Sequence, residues 1–262
     1  MRNILTDLSD HLSDPDPVKR AQIAMKAPLP KRFYKEVTVG GEGDRWTILL
    51  DGRTVKTPAK ATLEVPNRAV AQLLAEEWDA QATVIDPIKM PLTRLVNTAL
   101  DGIATDPQAV HEDILRFSSS DLLCYRADSP KELVSLQGDK WDPVMDWAYN
   151  VLGARFILVE GIMHQEQPCE ATAAFAVTLR KYDHAIDLAS LHTITTLTGS
   201  AILAVAFAEG FLTADEAWEL AHVDENYQAG LWGQDDEAIL RMTKRKIEMD
   251  AAARLFTAMR DK

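Results

Sequence analysis

Trp46-Thr-Ile-Leu-Leu50-Asp51-Gly52-Arg53-Thr-Val-Lys56 decides the fold. Two extended segments flank Asp51-Gly52. Asp-Gly is the strongest short hairpin signal, because both turn positions must tolerate positive φ. Upstream, Phe33 to Val39 alternates with a period of two and runs into Gly40-Gly-Glu-Gly43, which reads as a second turn. Downstream, Leu63-Glu-Val65 reads as a further strand. Together these segments predict a small β-rich unit.

From Pro66 the pattern turns helical. Val70, Leu73, Leu74 and Trp78 share one helical face, as do Leu92, Leu95, Thr98 and Ala99. Trp78 therefore reads as a core residue. Asp106-Pro107 is an N-cap followed by Pro at the first helical position, where the missing N–H is harmless. Ser129-Pro-Lys-Glu132 and Thr213-Ala-Asp-Glu216 read as capping boxes, and Asp142-Pro143 reads as another helix start. Arg155 to Val159 is the one later strand candidate. The steps Leu188, Leu191, Thr195, Thr198, Ile202 and Val205 predict a helix closed by Gly210, and a last helix runs from about Glu237 to Met259. Leu197-Thr-Gly-Ser200 reads as small residues that permit close helix packing.

The expected fold class is α+β, with a small β-rich N-terminal domain followed by a larger helical one. Residues 1–30, with Asp14-Pro-Asp-Pro17 and Ala27-Pro-Leu-Pro30, read as a mobile lead-in. Residues 31–90 form the small domain with its hairpin, and residues 91–262 the helical domain.

Charge narrows the function. Among 262 residues, 28 Lys+Arg against 40 Asp+Glu leave a net charge of −12. That balance disfavours nucleic acid and anionic membrane surfaces, which both need clustered cations. Two cysteines, Cys124 and Cys169, make no disulfide framework and fit a reducing, cytoplasm-like compartment. Cys124 sits in apolar surroundings and reads as a small core residue. The most apolar run, 201–208, is too short to span a bilayer. The N-terminus lacks a signal-peptide core and is too rich in Asp for a transit peptide.

Familiar catalytic patterns are missing. The sequence has no Walker loop, no dinucleotide loop between strand and helix, no nucleophile elbow and no pair of histidines at helical zinc spacing. His164 and Cys169, with Glu166 or Glu170, come nearest to a metal set, and a plain surface loop is the better reading. No cofactor is expected.

The informative stretch is 210–240. It holds eight acidic residues, Asp215, Glu216, Glu219, Asp224, Glu225, Asp235, Asp236 and Glu237, and neither Lys nor Arg. Residues 241–262 then hold seven basic residues against three acidic ones. This segregation makes a local negative field beside a basic helix, although acids at helix starts and bases at a helix end account for part of it. If one helix persists from Trp218, it passes Ala221 or His222, Glu225, Gln228 and Trp232 along one stripe. An acid among aromatics is a buried structural group, the polar centre of a binding surface, or a general acid.

Here the sequence becomes familiar. Arg32-Phe-Tyr-Lys-Glu-Val37, Asp51-Gly-Arg with Lys56-Thr-Pro58, Glu77-Trp-Asp-Ala-Gln81 and Met90-Pro-Leu-Thr93 occur in order. They are followed by Asp121-Leu-Leu-Cys-Tyr-Arg126, Trp141-Asp-Pro143, Leu197-Thr-Gly-Ser200 and Asp224-Glu-Asn-Tyr-Gln228 with Trp232-Gly233. Over roughly residues 30–260 the series resembles the F1-ATPase assembly chaperones that attend the α subunit in mitochondria and alphaproteobacteria. The resemblance implies a small α+β domain beside an orthogonally packed helical bundle, and no enzymatic activity. It also implies binding of free α subunit until β subunits replace the chaperone. The family's acidic site maps onto Glu225 with Asp224 beside it. The expected partner surface comprises Glu225, Asp224, Trp232, Gln228, Tyr227 and Trp218. A bacterial cytoplasmic location is expected, corresponding to the mitochondrial matrix in eukaryotic members.

Two rival readings stand beside this one. A small-molecule enzyme would use Glu225 with Asp224 or His222 as acid and base, in a deep pocket; a chaperone would present a shallow patch. A structural subunit would remain in the mature ATP synthase.

Overall fold

The computed structural model describes residues 28–161, 163, 165–233 and 235–261. Residues 1–27 of the expected lead-in, and His164, lie outside the described residues.

The β-rich part is an antiparallel sheet of β1 (Val37–Glu42), β2 (Arg45–Leu50), β3 (Arg53–Thr54) and β4 (Glu64–Val65), with β2 pairing to the other three. Leu50 faces Arg53 across Asp51-Gly52, whose φ values of 49° and 78° are both positive, as the Asp-Gly reading requires. The Asp51 carboxylate also accepts from the Lys35 and Glu36 amides at 3.0 and 2.9 Å, which holds its pKa below the usual carboxylate range. The other turn differs from expectation. β1 runs through Gly40 and Gly41 as far as Glu42, and the chain reverses at Gly43-Asp44. Gly41 sits at φ +137° with the Arg45 carbonyl 2.2 Å from where a Cβ would stand, so the strand crossing itself requires glycine.

Helix α1 (Arg68–Asp79) packs on β1 and β2. Asn67 caps it by accepting from Val70 and ties it to the distant C-terminus by donating to the Ala258 carbonyl at 2.8 Å. Arg32 donates to the Asp79 and Gln81 carbonyls and stacks over Tyr34, whose hydroxyl donates to the Trp78 carbonyl at 2.6 Å. Trp78 is half-buried against the core.

The helical part comprises α2 (Pro91–Asp101), α3 (Pro107–Ser119), α4 (Lys131–Trp147), α5 (Cys169–Leu179), α6 (Ala185–Thr198), α7 (Ala201–Ala208), α8 (Ala214–Ala221), α9 (Val223–Trp232) and α10 (Asp236–Ala258). α6 is the central element and packs against α2, α3, α7 and α10. Buried hydrophobic residues form one cluster that reaches from Ile48 in the sheet to Phe256 in α10. The whole is α+β, as the sequence predicts.

Four local expectations change. Asp142-Pro143 starts no helix. α4 continues through Pro143, because Trp141 and Val144 are buried and outweigh the lost backbone bond. Ser129 forms no capping box; its hydroxyl turns to Asp128, and α4 begins at Lys131 after Pro130 as N-cap, without a side-chain cap. The strand expected over 155–159 reduces to β6 (Val159–Glu160), which pairs in parallel with β5 (Tyr125–Arg126). The long helix expected from Leu188 breaks at Gly199, φ +68°, and restarts where Ser200 caps α7.

That break is anchored by a buried carboxylate. Asp121 accepts from the Ser200 hydroxyl at 2.6 Å, the Ile202 amide at 3.0 Å and the Leu123 amide at 3.1 Å. Burial pushes its pKa up to about 6, against the opposing effect of those donors. A comparable brace sits at the start of α2, where Glu77 accepts from the Leu92 and Thr93 amides and the Thr93 hydroxyl at 2.7, 2.8 and 2.8 Å.

Candidate partner-binding surface

The acid-rich stretch folds as two short helices, α8 and α9, followed by the long α10. Thr213 and Glu216 form the reciprocal capping box that the sequence predicts at the start of α8. The continuous stripe from Trp218 to Trp232 does not form. Backbone geometry leaves the helical range at His222, φ −118° and ψ 25°, and α9 starts afresh at Val223. His222 is buried, donates from Nδ1 to the Trp218 carbonyl at 2.7 Å, and lies 4.0 Å from the Trp218 ring, centre to centre. Trp218 is half-buried and packs against the core.

Beyond the break, past buried Val223, much of α9 faces solvent. Glu225 is exposed and its carboxylate has no hydrogen bond or ion pair among the described residues. Gln228 is exposed and Tyr227 half-buried. Trp232 is 83% exposed beside Leu231 at 60%. Gly233 ends α9 with φ +79°, and Asp235 caps α10 by accepting from the Ala238 amide at 2.6 Å. Ile239 and Leu240, on the first turns of α10, are exposed as well. The end of α9 and the first turns of α10 thus carry Leu231, Trp232, Ile239 and Leu240 in the open, with acidic residues nearby in sequence. Single exposed apolar residues are ordinary, and two pairs of large ones on either side of one connection make this region the candidate surface. Leu231, Ile239 and Leu240 escape a search by helical stripe; their signal in the sequence is that they flank the glycine turn after Trp232.

Asp224 behaves differently from its neighbour. It is half-buried, and its Oδ1 accepts from Gln137 Nε2 of α4 at 2.7 Å. Gln137 is buried, and its Oε1 accepts from the Ala127 amide at 2.8 Å. One turn further along α4, buried Trp141 donates from Nε1 to the Leu220 carbonyl at 2.8 Å. Arg126 lies 5.2 Å from the Trp141 ring and donates to Asp142 at 2.8 Å.

On α10 the basic residues divide. Lys246 bridges Asp215 of α8 and Asp250 of α10; burial opposes its charge, but these two carboxylates hold its pKa above the usual lysine value. Arg245 donates to the Leu197 carbonyl. Arg241 and Lys244 project without an ion pair among the described residues. No group of three His, Cys, Asp or Glu side chains converges among the described residues, and none of their helices is long and apolar enough to cross a membrane. The open apolar groove lined by Ala69, Leu73, Phe207 and Ala253 lies between α1, α7, the start of α8 and α10 and involves none of the candidate residues.

Residues 31–149 match the family model described as ATP12 chaperone protein. The crystal structure of Atp12 from Paracoccus denitrificans is 36% identical, with a TM-score of 0.82, covering 88% of this chain and 99% of that one. The chain belongs to the ATP12 chaperone family. Another crystal structure, of the Atu1473 protein from Agrobacterium tumefaciens, is 62% identical with a TM-score of 0.87 over 99% of this chain and 97% of that one. A more distant ATP12 relative is the mitochondrial protein atp12 of Schizosaccharomyces pombe. It is 26% identical over 231 residues, or 81% of this chain and 78% of its own length. Several of the stretches that carry the resemblance meet one another within the fold. Arg32 meets Asp79 and Gln81, Glu77 meets Thr93, Asp121 meets Ser200, and Arg126 meets Trp141 and Asp142.

Proposed function

We propose that this protein is an assembly chaperone for the F1 sector of ATP synthase. It binds the free α subunit and keeps it from aggregating until β subunits take its place. Membership of the ATP12 chaperone family supports the class of function. The observation that carries the site is the exposure of Leu231, Trp232, Ile239 and Leu240 at the junction of α9 and α10, with a Glu225 carboxylate on α9 that has no hydrogen bond or ion pair among the described residues. Such a surface suits an apolar, partly basic patch on the client. Trp232 supplies a large anchor, and Glu225 selects orientation and partner by charge. Gln228 and Tyr227 lie on the same short helix and extend the contact, while Trp218 supports it from the core side. Release follows from competition by β for the same surface, without nucleotide hydrolysis by this chain. The action takes place in the bacterial cytoplasm, or in the mitochondrial matrix for eukaryotic relatives.

The enzyme reading is less well supported. Glu225 stands on an open surface, and the two groups that would pair with it are engaged elsewhere, Asp224 with Gln137 and His222 with the Trp218 carbonyl.

Light scattering tests the proposal. Free α subunit diluted from denaturant should aggregate alone, stay clear with a stoichiometric amount of this protein, and leave the complex when β is added. Aggregation that proceeds unchanged in its presence would refute the chaperone reading.

A further inference from the structure

Two residues of α4, Gln137 and Trp141, stand one helical turn apart and grip the chain on both sides of the His222 break. Trp141 holds the Leu220 carbonyl at the end of α8, and Gln137 holds the Asp224 carboxylate in the first turn of α9. Gln137 is itself pinned, because its Oε1 accepts from Ala127. A buried amide with both ends committed has one orientation, so it fixes where Asp224 can sit. α9 needs such a fixture. Its only buried residue is Val223, and the rest of the helix is half-buried or exposed. A short helix with so little apolar contact is drawn from the low-stability end of a fold unless a specific bond holds it.

We propose that Gln137 is a positioning residue for the partner-binding surface: its bond to Asp224 aims α9, and with it Glu225 and Trp232, at the client. Asp224 then acts as the anchor of this latch, and the client reads Glu225. The inference rests on the reading of α9 as client-binding, and it explains why two adjacent acids in one motif have opposite surroundings.

The test exchanges donor and acceptor. Gln137→Glu places a carboxylate against Asp224 and breaks the bond. The double variant Gln137→Glu/Asp224→Asn restores it in reverse, with the Asn amide donating to the Glu carboxylate. The same full-length proteins are measured for α-subunit affinity and for amide hydrogen exchange. Gln137→Glu should weaken α-subunit binding by about tenfold or more. Exchange in α9 should rise while protection in α6 stays as in wild type. The double variant should recover both, although it has lost the Asp224 charge.

Wild-type affinity in Gln137→Glu overturns the inference. So does a double variant that regains α9 protection yet still fails to bind, because Asp224 is then needed for its charge at the client. Should Gln137→Glu not fold, Asp224→Ala breaks the same bond at a half-buried position and is expected to give the same loss of binding and of α9 protection. If wild type does not bind the α subunit, the proposed function fails, and the exchange data alone then decide whether the latch exists.

Discussion

The indole N–H of Trp141 reaches the Leu220 carbonyl at 2.8 Å, joining residues 79 apart in sequence, and so fastens α8 to α4 from within the core. Trp141 is fully buried, and among the described residues this is the one hydrogen bond its indole makes. Trp141→Phe keeps most of the apolar volume but removes the donor. It should lower stability in equilibrium urea unfolding by about 1–3 kcal/mol, the cost of an unmade buried hydrogen bond plus a small void.

Asp121 should impose a pH dependence of unusual sign for a carboxylate. Burial raises its folded pKa to about 6, above the ordinary unfolded value of 3.8. Between these values the folded state holds the proton more tightly. The site's contribution is therefore fully present below about pH 3.8 and is lost as pH rises through about 6. Urea unfolding of wild type and Asp121→Asn across pH 4 to 7 should show wild type losing roughly 2 kcal/mol relative to the variant as pH rises. A constant difference would show that the three donors around the carboxylate offset its desolvation.

Glu77 braces the start of α2, where three donors reach its carboxylate. Glu77→Ala leaves two backbone amides and a hydroxyl without that acceptor. A loss of about 2–3 kcal/mol, seen as a lower midpoint in thermal unfolding, is expected because bonds to a charged acceptor are the stronger kind.

Trp232 should separate binding from stability. At 83% exposure it contributes little to the fold, so Trp232→Ala should change stability by less than about 0.5 kcal/mol. Affinity for the α subunit, by titration calorimetry, should fall by about tenfold or more. Unchanged affinity would remove Trp232 from the surface.

Local rules carried much of the fold. Asp51-Gly52, Asp106-Pro107 and Thr213 with Glu216 are written in neighbouring residues, so their turn and caps are legible without tertiary information. The breaks at Gly199 and His222 are not, because each depends on a distant partner. Asp121 receives the restart of α7, and α4 grips both sides of His222. The β5–β6 pair likewise joins two-residue strands whose order arises only when 125 and 159 meet. At the candidate surface, the acid and aromatic residues of 218–232 were legible as a group. Their division into core-facing Trp218, latched Asp224 and open Glu225 and Trp232 was not, since one helical stripe would have placed Trp218, Glu225 and Trp232 together. Gln137 gave no sequence signal, being a single amide inside an amphipathic helix.

The central claim is that an exposed acid on α9 governs recognition of the α subunit. Sedimentation velocity of freshly diluted α subunit with wild type or Glu225→Lys tests it most directly, with circular dichroism to show that the variant is folded. A soluble complex with wild type and free components with Glu225→Lys is the predicted result. A complex of equal stability with the folded variant would contradict the account.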